Sequence, residues 1–292
     1  MLCVAETCIL TPIYRWVGEG AEMVEKELTL EEKWEQATIA DNFIFYKVMR
    51  NNPDVCKRLL EILLEFPIEK IEMQQEEEID IDYGSRGIRL DVFAKNDGQA
   101  FNIEMQSIDT KELPERARYY QGVIDVDMLK SGQKYKELKD SYIIFICVHD
   151  IFGKGLAKYT FENLCCENYS IKLNDRTVKL FFCAKNCDIL LNAEQKAFLK
   201  LITSNESSDT FSSRISLLVA EAKHNIQWKR QYMDFAREKT YAFEDGMEKA
   251  RIEDIKNFFM NGASVELIAK STGMTIEQIE EITRDVAVVS EA

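Results

Sequence analysis

Four polar residues recur at strand-like spacing in one short stretch of the chain: Glu78, Asp91, Glu104 and Gln106. Around them the period is two. Ile79, Ile81 and Tyr83 alternate with Glu78, Asp80 and Asp82; Leu90 and Val92 flank Asp91; Phe101, Ile103 and Met105 alternate with Asn102, Glu104 and Gln106. Gly84-Ser85 and Asp97-Gly98 separate the runs, which predicts a three-stranded meander with two tight turns. A two-residue turn at Asp97-Gly98 pairs Asn96 with Gln99 and sets Asp91 opposite Glu104. Cross-strand neighbours have Cβ atoms roughly 5 Å apart, and like charges there repel. A two-residue turn at Gly84-Ser85 sets Glu78 opposite Asp91 from the other side, and Asp80 opposite Arg89. Gln106 shares the face of Glu104. Converging carboxylates need a cation or a shared proton, and all-oxygen donors suit Mg²⁺ or Mn²⁺ rather than zinc. On the residues alone two readings stay open: a metal site, or an acidic face turned to solvent.

The elements that must position this face are legible on either side. Thr29 with Glu32 is a capping box opening a helix through Trp34, and a second helix follows Asp41. Asn52-Pro53 starts a third, with Val55, Leu59, Ile62 and Phe66 on its core stripe. Pro114 opens a helix to about Lys130, and Tyr142–Val148 is a continuous apolar run, so strand, helix and strand form a βαβ unit. Shorter strands are expected near Tyr159 and over Val178–Cys183, then a helix over Ala193–Ile202. The division expected is an N-terminal extension over 1–28, a domain over 29–203, a Ser/Asn/Asp-rich linker over 204–213, a long charged helix over 214–250 and a helical tail over 251–292. In the tail, Asn261-Gly262, Ser264, Gly273 and Thr275 mark helix ends and caps at helix-turn-helix spacing. The tail carries four basic and eight acidic residues, a surface that phosphates would repel. It reads as an oligomerisation or docking piece.

Composition bounds the class. The 292 residues include 37 basic and 51 acidic ones, a net charge of −14 that argues against electrostatic coating of nucleic acid. No apolar run is long enough to cross a membrane. Glu6 interrupts the apolar N-terminus and no basic residue precedes it, so no leader is expected. The eight cysteines are expected to be reduced thiols of a cytoplasmic protein. Cys165-Cys166, Cys183 and Cys187 lack Cys-x-x-Cys spacing and read as core thiols rather than zinc ligands.

Arg89-Leu90-Asp91, twelve residues, and then Glu104-Met105-Gln106 resembles the PD-(D/E)XK nuclease motif with Gln in the Lys position. Asp80-Ile81-Asp82-Tyr83, Arg116-Ala117-Arg118-Tyr119-Tyr120-Gln121 and Phe145-Ile146-Cys147 leading to Asp150-Ile151-Phe152-Gly153-Lys154-Gly155 extend the match. Together, over residues 28–202, they resemble the PD-(D/E)XK nuclease family transposases, of the recombination-promoting nuclease type. The resemblance implies an α/β, restriction-endonuclease-like αβββαβ core with a mixed sheet, followed by a long helix and a small helical tail. It implies a Mg²⁺-dependent (or Mn²⁺-dependent) DNA endonuclease in which Asp91 and Glu104 hold metal, Glu78 is an auxiliary ligand and Gln106 orients water. Arg116, Arg118, Tyr120 and Gln121, with Lys47 on the helix ahead of the sheet, are its candidate substrate contacts. The departure is Gln106: a Lys would bring positive charge, whereas an amide only makes hydrogen bonds. The rival, from another class, is a cleavage-inactive DNA- or protein-binding regulator on the same fold; the intact Asp91/Glu104 pair favours the enzyme. DNA is the expected partner, no membrane is, and the C-terminal helices are the candidate surface for a homo-oligomer.

Overall fold

The computed structural model describes residues 28–73, 78–79, 88–89, 92–96, 98–108 and 110–290. The chain divides into two compact units, one ending at Lys229 and one beginning at Arg230.

In the first unit, the Thr29/Glu32 capping box starts α1 (Leu30–Gln36), with both reciprocal hydrogen bonds made. Asp41 caps α2 (Asn42–Asn51) by accepting from the Phe43 and Ile44 N–H groups. Pro53 sits in the first turn of α3 (Pro53–Leu64), where its missing N–H costs nothing. Val55, Leu59 and Ile62 are buried as their spacing predicts; Phe66 lies beyond the helix end and packs on Tyr142 instead. The strands are β1 (Glu72–Met73), β2 (Glu78–Ile79), β3 (Ile88–Arg89), β4 (Val92–Lys95) and β5 (Gln99–Gln106). Then come α4 (Leu113–Met128), β6 (Asp140–Cys147), β7 (Lys158–Phe161), β8 (Leu164–Cys165), β9 (Asn168–Lys172) and β10 (Thr177–Cys183), followed by α5 (Ala193–Ser204) and α6 (Thr210–Lys223).

Six strands form one mixed sheet in the order β1-β4-β5-β6-β10-β7. β5, β6 and β10 are parallel neighbours, and α4 is the crossover of the β5-α4-β6 unit. The Asp97-Gly98 hairpin has the expected register: Val92 faces Ile103, and the Asn96 N–H donates to the Gln99 carbonyl at 2.9 Å. The other hairpin differs. Glu78 pairs with Arg89 and Ile79 with Ile88, a register centred between Tyr83 and Gly84 rather than between Gly84 and Ser85. That shift puts a residue of opposite charge across from Glu78 instead of Asp91, the pairing a ladder favours. β2 and β3 pair with one another outside the six-stranded sheet. Asp80 and Asp91 lie outside the described residues.

Both faces of the sheet are covered. Phe101, Ile103 and Met105 of β5 are buried on the side where α2 packs on β4 and β5. On the other face Ala100, Asn102, Glu104 and Gln106 share a side with Ile143, Phe145 and Cys147, beneath Leu113, Ala117 and Ile124 of α4. The cysteines divide: Cys56, Cys147, Cys183 and Cys187 are buried, whereas Cys165 and Cys166 sit at the turn of the β8–β9 hairpin, with Cys166 exposed. That hairpin has no alternation of burial because β9 is exposed throughout, so its thiols are not core thiols.

Residues 204–213, read above as linker, include the first turn of α6. Asp209 caps it by accepting from the Ser212 N–H at 2.7 Å, and Phe211, Ile215 and Val219 are buried. α6 packs on α2 and α5. The long helix α7 is Ile226–Met260. In the second unit its end meets α8 (Val265–Thr272) and α9 (Ile276–Ser290) around Ile255, Ile268, Ala269 and Ile279. Ser264 and Thr275 cap α8 and α9, and Gly273 ends α8 at φ 71°, as their positions predict. Among the described residues no helix is long and apolar enough to cross a membrane.

Candidate active site

Glu104 is the centre of the acidic face, and it is not solvated: it is 3% exposed, on a strand bonded on both sides. This excludes the acidic face turned to solvent at this position. A charge is tolerated there only with partners. The structure provides them from α4 and from β5 itself. The Arg116 guanidinium reaches Glu104 Oε2 through Nη2 at 3.4 Å and donates from Nη1 to Gln106 Oε1 at 3.0 Å. Its Nη2 also donates to the Tyr120 hydroxyl at 3.1 Å. The guanidinium carbon stands 5.5 Å from the Tyr120 ring centroid and 5.6 Å from that of Phe145, so aromatic faces hold its plane. Glu104 Oε1 accepts from Asn102 Nδ2 at 3.3 Å.

Gln106 is buried and held at both ends. Its Oε1 accepts from Arg116, and its Nε2 donates to the Ile108 carbonyl at 2.6 Å. Among the described residues, one N–H and one lone pair of the amide make no further bond. Close by, Ser107 Oγ donates to Asn42 Oδ1 at 3.4 Å, which ties the end of β5 to the start of α2.

Of the residues singled out from the sequence, the structure brings together Glu104, Gln106, Arg116 and Tyr120. It places Arg118 and Gln121 elsewhere. Arg118, two positions on from Arg116, lies about 200° around the helix and lines a different cleft, beside Phe152 and Phe161. Gln121 is buried and donates to Ser141 Oγ and Asp125 Oδ1, which is structural work beneath α4. Lys47 lies 5.2 Å from the ring centroids of Phe43 and Tyr46 on α2, the helix that packs on β5. Glu78 stands opposite Arg89 in register, and Asp91 lies outside the described residues.

One residue of the site escaped the sequence reading. Asn102 is 0% exposed, bonds Glu104, and keeps a buried Oδ1 for which no hydrogen-bond partner is found among the described residues. Its signal was visible: an amide on the same strand face as Glu104 and Gln106, opposite Phe101, Ile103 and Met105.

Among the described residues no three His, Cys, Asp or Glu side chains cluster tightly enough to hold a metal. The donors along this face of β5 are oxygens: the Glu104 carboxylate, with the Asn102 Oδ1, unpartnered among the described residues, on one side and the Gln106 carbonyl on the other. Hard oxygen without thiol or imidazole is the chemistry of Mg²⁺ and Mn²⁺, so the residues present fit such an ion.

The sequence model of the PD-(D/E)XK nuclease family transposases matches residues 43–180, from α2 through the first half of β10. Over those residues the chain is similar to this family. The mixed sheet with its parallel β5-α4-β6 unit is accordingly a restriction-endonuclease-like α/β fold. Glu104, Gln106 and Arg116 all fall inside the matched range. The match supports a nuclease- or transposase-type function, and the family it points to implies a DNA substrate and generally uses divalent metal ions. No curated protein and no solved structure matches the chain.

Proposed function

We propose that the chain is a Mg²⁺-dependent DNA endonuclease that hydrolyses phosphodiester bonds at the Glu104 face of β5. The observation that carries this reading is the buried carboxylate of Glu104 gathered with Gln106 and Arg116 under α4. Asp91 joins them on the sequence reading, in which the Asp97-Gly98 turn sets it opposite Glu104. Asp91 and Glu104 would hold the ion, which supplies Lewis acidity to the phosphate when bound.

The chain's own groups account for the missing motif lysine. A lysine at position 106 would place a positive charge beside the scissile phosphate. Here the amide of Gln106 is bonded to a guanidinium, so Arg116 carries that charge in from the helix. Held beside the Tyr120 and Phe145 rings, it is preorganised to face the negative charge that develops on the phosphate oxygens. Gln106, fixed at both ends, has its one remaining N–H and lone pair to orient the attacking water.

The test is nicking of supercoiled plasmid by the full chain in EDTA, Mg²⁺ and Mn²⁺, alongside Asp91→Asn and Glu104→Gln. The wild type is expected to cut only with metal, and each variant to lose at least two orders of magnitude in rate. A wild type inert with both metals, or a Glu104→Gln protein that cuts normally, overturns the reading. Tight, metal-dependent DNA binding without cutting would establish the regulatory alternative instead.

A further inference from the structure

A second cleft, of about 470 Å³, opens on the opposite side of α4 over β10 and β7. Its size is that of a small-ligand site. Its floor and wall are aromatic: Phe152, Phe161 and Phe181 form a triangle with ring centroids 5.2 to 5.7 Å apart, the Phe181 ring nearly perpendicular to the other two. Phe181 is buried, but Phe161 is 44% exposed, a large apolar ring left facing the opening. Arg118 from α4 and Lys179 from β10 line the same cleft. Among the described residues neither makes an ion pair, although Lys179 is near enough to Asp125 to stabilise its charged form. The one carboxylate in the lining, Glu162, is paired with Lys172.

An open aromatic ring with two uncommitted cations beside it, in a protein of net charge −14, is complementary to a flat π-system that carries an anion. A nucleotide has that chemistry. We propose that this cleft takes one unpaired nucleotide, its base against Phe161 and its phosphate held by Arg118 and Lys179. Resting on the nuclease reading, this deepens it: the substrate would carry a single-stranded or frayed stretch, one nucleotide of which is held across α4 from the cutting centre. Base stacking on an aromatic side chain tolerates any sequence, so the cleft would select for unpaired strand rather than for a particular base.

The experiment measures binding of a fluorescent twelve-residue oligothymidylate to the full chain by anisotropy, in EDTA so that no cutting is required. Wild type is compared with Phe161→Leu and with Arg118→Gln/Lys179→Gln. Stacking losses of the usual size weaken binding about tenfold in Phe161→Leu. The double variant is expected to weaken it similarly and to flatten the dependence of log affinity on log salt by about one. Competition with dTMP separates a site for free nucleotides, which dTMP would fill, from a site that needs the strand. Photocrosslinking with 5-iododeoxyuridine in the oligonucleotide is expected to mark Phe161 or Phe152. Equal affinity of all three proteins, or crosslinks only outside the cleft, overturns the proposal. The exposure of Phe161 and Arg118 makes folded variants the expectation, and melting curves verify it. Binding that survives in a wild type unable to nick plasmid would sink the nuclease reading and leave the cleft standing; nicking by a protein whose cleft variants bind normally would do the reverse.

Discussion

Replacing Arg116 by methionine keeps an unbranched apolar stem and removes the charge beside Glu104. The guanidinium makes one ion pair and two further hydrogen bonds, to Gln106 and Tyr120. Breaking a fully buried ion pair costs roughly 3 to 5 kcal/mol, and breaking an exposed one less than about 1. The Glu104 side chain is 4% exposed and that of Arg116 32%, so the pair belongs between these limits. Arg116→Met should therefore destabilise the first unit by about 2 to 3 kcal/mol. Glu104→Gln keeps a hydrogen-bonding group in place and should cost about 1 kcal/mol. If the two groups act as a pair, the double variant costs about 1 kcal/mol less than the sum of the singles, because neither change then strands the other's charge. Urea unfolding in EDTA gives the four stabilities. All three tryptophans precede Arg230, so their fluorescence reports on the unit that contains the site. Additivity within about 0.3 kcal/mol would refute the coupling and, with it, the role given to Arg116 as the charge at this centre.

Three further outcomes follow from other parts of the chain. Asp150 accepts hydrogen bonds from the Phe152, Gly153 and Gly155 N–H groups, from Tyr159 and from Asn186, so Asp150→Ala should cost about 2 to 4 kcal/mol by thermal or urea unfolding. Burial pushes the Asp150 carboxyl up, but the bonds from Tyr159, Gly155, Asn186 and Gly153 outweigh it and hold it below the usual range; its contribution is full above about pH 4 and fades as pH falls further, so wild type should lose stability more steeply there than Asp150→Asn. A chain ending at Lys229 should fold and show a cooperative melt, whereas one ending at Ser213 should not, because it discards the buried Ile215, Val219 and Ala222 of α6 and the Lys223 carbonyl that accepts from the Trp34 indole. Gly273→Ala forces a Cβ into a left-handed C-cap and should lower the stability of the second unit by about 1 kcal/mol, seen by calorimetry on the full chain.

Much of the fold was legible because short signals with local causes hold it. The Thr29/Glu32 box, the Asp41 cap and Pro53 act within four residues, and Asp97-Gly98 dictates the β4–β5 register by itself. The β2–β3 register was not legible: a two-residue turn at Gly84-Ser85 would face Glu78 with Asp91, whereas Glu78 pairs with Arg89, two residues away. The Ser/Asn/Asp run after Ser204 concealed α6. Asp209 and Ser212 are turn formers in composition, yet here they cap a helix that enters the core with Phe211. The site itself was half visible. Spacing identified Glu104 and Gln106, but a polar residue in a period-two strand reads as outward-facing. Only a helix crossing over that face makes it an interior, and which of the two α4 arginines reaches Glu104 is a matter of helix rotation that composition does not encode.

The strand that carries Glu104 is also the hardest part of the sheet to move. β5 has β4 on one side and β6 on the other, and its eight residues are in continuous register with β6 from Gln99 to Gln106. Displacing it would break two ladders at once. Its backbone amides should therefore exchange with solvent only through opening of the whole unit, among the slowest in the molecule. Under the proposed function, a carboxylate mounted this way would work as an anvil: the nucleic acid would bend or open to meet it, and adjustment in the protein would fall to the side chains of α4.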